Sequence, residues 1–365
     1  MKAISLYSGA GGMDVGFVKA GFEPIWANDF NKDACETYKL NFGAHIKCGS
    51  IDDFLGEVNS LKKIDIIYGG PPCQGFSVAG KMDPSDPRSR HIWTFCDIVE
   101  KVKPNAFVME NVKALGVLSK WEPIRIDLLK RFKKLGYSAN YIVVNSKDYD
   151  CPQARERVFF VGFKTFNPDA IPDLGAMLAP YMQPGLTVRE SLKVLDKAGT
   201  GNNKGVCNAK ITIAPNPILR RSPYAGMLFN GMGRPVKIDG YCATLPASMG
   251  GNKTPIIDEI ELYQRKKSWV EEYHSKIWKG VKPLDFQEAP KRLRRLTVEE
   301  ASILQTFPID YHFFGSQSSR FRQIGNAVPC NLAYAVAQMV KGVINSNNKK
   351  LKFCKTARQM EIELN

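Results

Sequence analysis

Ala3-Ile4-Ser5-Leu6-Tyr7 runs directly into Ser8-Gly9-Ala10-Gly11-Gly12, and then into Met13-Asp14-Val15-Gly16-Phe17-Val18-Lys19-Ala20. A short apolar run, a glycine turn and an amphipathic stretch follow one another without a gap. That is the signature of a strand feeding a helix through a tight turn. The same alternation continues outward. Residues 24–27, 64–68, 106–109, 141–144 and 158–161 read as further strands, and residues 13–20, 32–40, 92–102 and 124–134 carry helical spacing. In the third of these helices Phe95, Ile98, Val99 and Val102 recur at steps of three and four. Alternation of this kind builds a doubly wound α/β domain with a mostly parallel sheet, and ligands bind beyond the carboxyl ends of its strands. After residue 163 the texture changes. Residues 164–290 are rich in glycine, proline and asparagine, with no sustained helical period until 263–278. A second, smaller and irregular module is expected there. Residues 331–344 then predict a helix that closes the first domain, and the polar, basic tail from residue 345 is expected to be partly mobile.

The chain has 365 residues, 44% hydrophobic and 24% charged, which suits one large globular domain with a smaller companion. Lysine plus arginine exceeds aspartate plus glutamate by 51 to 36, a formal charge of +15. Such an excess points to a polyanionic partner, nucleic acid before membrane. No apolar run approaches the ~20 residues of a bilayer span, and no signal peptide is expected. The nine cysteines include no C-x-x-C spacing, and four scattered histidines make no metal cluster. The expected compartment is therefore reducing, with free thiols and no structural zinc.

Three motifs carry chemistry. The turn at residues 8–12 allows a ligand to approach the backbone closely, although Asp14 breaks the G-x-G-x-x-G pattern. Asp29 stands 20 residues beyond Gly9, a spacing that suits hydrogen bonds to ribose hydroxyls. It equally suits the cap of a helix starting at Asn31. The decisive stretch is Gly69-Gly70-Pro71-Pro72-Cys73-Gln74-Gly75-Phe76-Ser77, directly after a strand. A free cysteine is usually buried packing. Two prolines do not build a packed strand centre, so Cys73 reads instead as a rigidly placed nucleophile at the strand end.

These residues closely resemble one family, the cytosine-5 DNA methyltransferases of bacterial restriction-modification systems. Residues 6–17 resemble its cofactor loop and Pro71-Pro72-Cys73-Gln74 its nucleophile loop. Glu110-Asn111-Val112 resembles its acid motif, and Gln153-Ala154-Arg155-Glu156-Arg157 its Q-x-R-x-R element. Arg295-Leu296-Thr297 with Glu300, Gln305, Phe307 and Pro308 resembles the penultimate motif, and residues 323–329 the last one. Six motifs in order, reaching both ends of the chain, are far more specific than any one of them.

The resemblance implies an S-adenosylmethionine-dependent, Rossmann-like fold and methylation of cytosine carbon-5 in double-stranded DNA. It implies domains at 1–180 (catalysis and cofactor), 181–290 (target recognition), 291–320 (hinge) and 321–365 (return and tail). The implied cofactor residues are Tyr7, Ser8, Gly9, Ala10, Gly11, Gly12, Met13, Asp29, Phe30, Ser50, Ile51, Pro72, Asn326 and Ala327. Cys73, Glu110, Arg155 and Arg157 are implied for catalysis, with a pair between the arginines and Glu156 as the plainer alternative. DNA contacts are implied for Gln74, Ser77, Lys81, Arg88, Arg234 and Thr244, and no metal is expected. Residues 77–91 read as a basic loop closing over a flipped base. Asp29, Ser50, Ser89 and Asp150 depart from the family's usual glutamate, aspartate, glycine and glycine. A cytoplasmic monomer serving beside a restriction endonuclease is the expected setting.

Two other function classes fit parts of the sequence. A dinucleotide oxidoreductase fits the fold but leaves Pro71-Pro72-Cys73-Gln74 and Glu110-Asn111-Val112 without a purpose. A non-catalytic nucleic-acid binder fits the charge and is excluded only if Cys73 reacts. A related branch acts on transfer RNA; the long variable module at 163–291 argues for DNA.

Overall fold

The computed structural model describes residues 1–72, 90–165 and 167–346. The expected Cys73, Gln74, Ser77, Lys81 and Arg88, the loop they stand on, and the tail beyond residue 346 lie outside the described residues. Compactness divides the chain into two units, residues 1–149, 156–183 and 330 onward in one, and 150–155 with 184–329 in the other.

The first unit begins with β1 (Lys2–Leu6), α1 (Gly12–Lys19), β2 (Glu23–Asp29), α2 (Lys32–Phe42) and β3 (Ile46–Cys48). It continues through α3 (Leu55–Ser60), β4 (Ile66–Gly69), α4 (His91–Val102), β5 (Ala106–Val112), α5 (Lys113–Val117), α6 (Glu122–Lys134) and β6 (Tyr137–Asn145). After β7 (Gln153–Ala154), which belongs to the second unit, β8 (Glu156–Lys164) completes a seven-stranded sheet ordered β3-β2-β1-β4-β5-β8-β6. The pairings from β3 through β5 are parallel. β8 runs antiparallel to both β5 and β6. The reason is the connection: no helix crosses over between β6 and β8, and a parallel return requires such a crossover. The sheet is therefore mixed, with a parallel majority. Strand order reverses at β1, whose neighbours are β2 on one side and β4 on the other, and this reversal opens a crevice beyond their carboxyl ends.

Ile4, Leu6, Ile67, Phe95, Ile98, Phe107, Met109, Phe132 and Phe160 are all buried in one apolar cluster between the sheet and its helices. Phe107 stacks on Phe132 with ring centroids 4.0 Å apart. On the other face the closing helix, preceded in chain order by those of the second unit, docks on α1. There Lys341 donates to the Ala20 carbonyl at 2.6 Å and Lys19 lies over the Tyr334 ring.

The second unit holds, besides β7, α8 (Val188–Leu192), β9 (Ile213–Ile218), β10 (Met227–Phe229), β11 (Cys242–Ala243), β12 (Ile256–Asp258), α9 (Glu259–Gln264), α10 (Trp269–Trp278), β13 (Leu293–Arg295), α11 (Val298–Leu304) and α12 (Gln317–Asn326); the short α7 (Leu174–Leu178) and the closing α13 (Cys330–Asn345) belong to the first. Its strands pair only two by two, so it has no continuous sheet among the described residues. The helical period read at 263–278 proves to be two helices. Asp258 is the cause: its carboxylate accepts from Ile260 and Glu261 at the start of α9 and from Trp269 at the start of α10, 3.0 Å away. One side chain caps both, and Arg265 turns the chain between them with φ +54°. Residues 291–329, expected as hinge and return, count with this unit. The stretch 317–345 is long and apolar enough to cross a membrane, but Ala327-Val328-Pro329 divides it and 61% of its most apolar window is buried in the fold.

Asp14, which spoiled the nucleotide fingerprint, sits in the first turn of α1 with no exposure at all. It accepts hydrogen bonds from Tyr68 (2.8 Å), Tyr38 (2.9 Å) and Ser5 (3.1 Å), joining α1 to α2, β4 and β1. Burial pushes its carboxyl up to about 6, against the pull of the three hydroxyls. In the unfolded chain it titrates near ~3.9. The folded state therefore holds this proton more tightly, and the stability so contributed is full below pH ~4 and lost as pH rises through 6. Asp14→Asn should abolish that dependence. Thermal scans should show the wild-type melting temperature gaining several degrees on the variant as pH falls from about 7 to about 4, since the shift is worth roughly 3 kcal/mol. A difference that stays flat with pH would remove Asp14 as the titrating group.

Candidate functional site

The turn after β1 is built from three residues in the left-handed region, Tyr7 (φ 53°), Gly9 (φ 56°) and Gly11 (φ 82°). Gly11 occupies the cap position of α1, where its conformation starts the helix but supplies no side-chain acceptor. The first amides of α1 thus have no capping side chain. Inside the turn, Gly11 N–H donates to the Ser8 carbonyl (3.0 Å) and the Ser8 hydroxyl donates to the Ser5 carbonyl (3.0 Å). Ala10, Gly12 and Met13 are buried beneath it. Tyr7 leans the other way, its hydroxyl 3.3 Å from His91 Nδ1 and its ring edge-on to the imidazole.

Asp29 ends β2 beside this turn. One carboxylate oxygen accepts from Gly9 N–H and the other from Asn31 N–H, each at 2.8 Å. The helix cap of α2 is Asn31 itself, which accepts from Ala34 N–H at 3.0 Å, so the capping alternative for Asp29 falls away. Burial raises the Asp29 carboxyl and the backbone amides oppose that rise. The next side chain, Phe30, is 70% exposed at the same edge. Ser50 caps a short turn whose Asp52 pairs with Arg90. Ile51, at 2% exposure, is part of the central apolar cluster.

A second constellation forms where β4 ends. A Cβ on Gly70 would stand 2.9 Å from Glu110 Oε2, so a larger residue here would have to push the carboxylate aside. Pro71, two residues before Cys73, offers its carbonyl to Asn111 Nδ2 at 3.2 Å. Pro72 is half-buried. Glu110 Oε1 meets Arg157 Nε at 2.8 Å, with the two side chains 12% and 14% exposed. The register explains the meeting. β5 and β8 pair Glu110 with Phe159 and Val112 with Arg157, so Glu110 and Arg157 are diagonal neighbours on one face, within reach of long side chains. Breaking such a shielded pair from one side leaves the other charge stranded.

Arg155 counts with the second unit. It is 2% exposed, and its guanidinium donates to the carbonyls of Leu245 (3.0 Å) and Gly325 (2.8 Å). Glu156, the partner that the plainer alternative gave the arginines, forms an ion pair with Lys113 at 2.8 Å. Thr244 donates to the Ala154 carbonyl at 3.1 Å. Arg234 is exposed in the same unit, and Asn326 and Ala327 end α12 there. The sequence left two residues without a role. Asn111 pins the segment before the cysteine, and Asp14 anchors the glycine turn. For Asp14 the available signal was an acid placed in an apolar first turn.

The family model for the C-5 cytosine-specific DNA methylases matches residues 1–342. The chain is 33% identical over 359 residues to the type II methyltransferase M.FnuDI of Fusobacterium nucleatum, covering 96% of each. It is 31% identical over 348 residues to M1.HphI of Haemophilus parahaemolyticus, covering 92% of this chain and 86% of that protein. Among solved structures, the Entamoeba histolytica methyltransferase EhMeth superposes with a TM-score of 0.64 at 18% identity over 94% of this chain and 98% of that one. The S. pombe Dnmt2 methyltransferase does so at 0.62 and 17%, over 94% and 99%. At these identities the structures speak for the fold.

The glycine turn, the open space over Gly9, the carboxylate of Asp29 and the exposed Phe30 ring suit the adenosine of S-adenosylmethionine, and the uncapped start of α1 suits its carboxylate. Asp29→Asn would turn an amide NH2 toward either Gly9 N–H or Asn31 N–H, setting donor against donor. Calorimetric titration should then show S-adenosylmethionine affinity lowered by about tenfold or more, in line with one lost buried acceptor. Unchanged affinity would mean that the turn keeps its shape without this carboxylate.

Proposed function

The chain belongs to the C-5 cytosine-specific DNA methylase family, and from that premise we propose how its residues divide the work of methylating cytosine carbon-5 within a specific DNA sequence. Cys73 is the nucleophile. As thiolate it adds to carbon-6 of a cytosine swung out of the duplex, which makes carbon-5 electron-rich enough to take a methyl group. Glu110 faces ring nitrogen 3 and stabilises the charge that develops there. Arg157 positions Glu110. Asn111 holds the Pro71 carbonyl and so sets the direction in which the chain approaches Cys73. Bound S-adenosylmethionine supplies the methyl group. Loss of the carbon-5 proton and then of the thiolate releases the product. Tyr7 to Met13, Asp29, Phe30 and Ser50 hold the cofactor, with Pro72, Asn326 and Ala327. Gln74, Ser77, Lys81 and Arg88 contact the DNA, and residues 224–254, with Arg234 and Thr244, read its sequence. The enzyme acts as a monomer in the cytoplasm, beside a restriction endonuclease of the same specificity.

The observation that carries this reading is the meeting of Glu110 and Arg157 beside Gly70 and Pro71, at the strand end from which the chain runs into Cys73. The family's activity gives the pair a reaction to serve, and the type II naming of the relatives supports the endonuclease.

A duplex with 5-fluorocytosine at the target has no carbon-5 proton to lose. Methyl transfer should leave it bonded to the enzyme, in an adduct that requires S-adenosylmethionine, survives denaturing electrophoresis and maps to Cys73. Cys73→Ala should form none and methylate nothing while still binding DNA. An adduct on Cys151 or Cys242, or activity in Cys73→Ala, would overturn the mechanism. Exchanging residues 224–254 for those of a relative should move the methylated site, read by bisulfite sequencing of plasmid from expressing cells. Methylation persisting at the original site would place target reading elsewhere.

A further inference from the structure

The second unit contains a pocket of about 190 Å³ whose walls include Thr244, Leu245 and Pro246 and whose rim carries Met232, Arg234 and Lys253. It is smaller than the ~300 Å³ at which small-molecule sites begin. It suits the projecting edge of a larger ligand. Two cations line it and no carboxylate does. Both cations are exposed, and neither has an ion pair among the described residues.

The rim is rigid for a reason visible in the backbone. Gly231 adopts φ +85°, and a Cβ there would stand 2.6 Å from the Asn252 carbonyl; one on Gly233 would stand 2.2 Å from that of Thr254. The segments on either side therefore run in backbone contact, joined by Gly233 N–H to Asn252 O (3.0 Å), Ile256 N–H to Arg234 O (3.0 Å) and Val236 N–H to Ile256 O (2.8 Å). Arg295, 2% exposed, donates to the Thr254 carbonyl at 2.8 Å from behind. On this braced edge Met232 is 61% exposed, a large apolar side chain held outward by glycines rather than folded in. Thr244 has committed its hydroxyl hydrogen to Ala154, so it offers the pocket only lone pairs.

The rim thus brings two cationic donors, the hydroxyls of Thr244 and Ser248 and the exposed Met232 side chain together on a braced edge. Major-groove base edges present the complement: guanine O6 and N7 accept from arginine or lysine, and the thymine methyl takes an apolar contact. We propose that Met232 and Lys253 are specificity-determining residues, Lys253 acting with Arg234 on a guanine edge and Met232 on the methyl of a neighbouring thymine. This rests on the assignment of residues 224–254 to target recognition.

The test compares methylation rates of purified wild-type enzyme, Met232→Ala, Lys253→Gln and, as a control off the rim, Lys276→Gln on a set of duplexes carrying every single-base change in the target. Met232→Ala should lower discrimination at one thymine position, and Lys253→Gln at one guanine position, each by roughly tenfold. Lys276→Gln, on α10 outside residues 224–254, should leave every preference in place. S-adenosylmethionine affinity and melting temperature, expected unchanged because both rim side chains are exposed, report on folding, and each variant tests its position independently. If both variants keep the wild-type preferences, or slow all duplexes alike with a shallower salt dependence, the rim touches only phosphates and the proposal fails. Exchange of residues 224–254 separates the two levels. If it moves the site while the variants do not, this inference alone is wrong; if it does not move the site, the assignment beneath it is wrong.

Discussion

Everything at the ligand end of the first unit depends on how the turn after β1 is gripped. A turn with three left-handed residues exposes backbone amides that regular structure would have satisfied, and such amides must find acceptors if they are shielded from water. Two carboxylates frame it. Asp29 takes the Gly9 amide from the side of β2, and Asp14, fully buried, ties the first turn of α1 to hydroxyls from β1, α2 and β4. Neither carboxylate is in a comfortable place: burial raises both. The hydrogen bonds they accept offset that cost, and the turn gains a fixed shape before any ligand arrives.

The β4 end follows the same logic with different atoms. Close passage at Gly70, an amide clamp from Asn111 and the Glu110–Arg157 pair together hold the chain at Gly70 and Pro71. Preorganisation of this kind matters because a reacting group out of place by about 1 Å can lose a hundredfold in rate.

Much of this was legible in the residues. The longer strands and helices up to residue 134 were readable because apolar spacing reports burial on one face, whereas β3, α3 and α5 are too short to show a period. Three further features were not legible. The antiparallel insertion of β8 is a matter of what connects two strands, and apolar runs look alike in either direction. The division of residues 259–278 into two helices turns on one aspartate that caps both, while the spacing on either side reads as continuous. Arg155 and Arg157 are two residues apart in one motif, yet one braces carbonyls in the second unit and the other holds Glu110 in the first. Adjacent letters part company where the chain changes unit, and no local pattern marks that point.

The six residues from Asp150 to Arg155 belong to the second unit although both strands that flank them belong to the first. Gln153 gives its carboxamide to Gln305 and receives the Leu245 amide, and Arg155 holds Leu245 and Gly325. The second unit is consequently not a contiguous cassette. A recombination event that carried in residues 184–329 from a distant relative would arrive without the short segment around which that unit is assembled, and would have to match the resident one at these few backbone atoms. Changes within the unit should thus be accommodated more readily than transfer of the whole, and the Q-x-R element acts as the socket that limits which replacements fit.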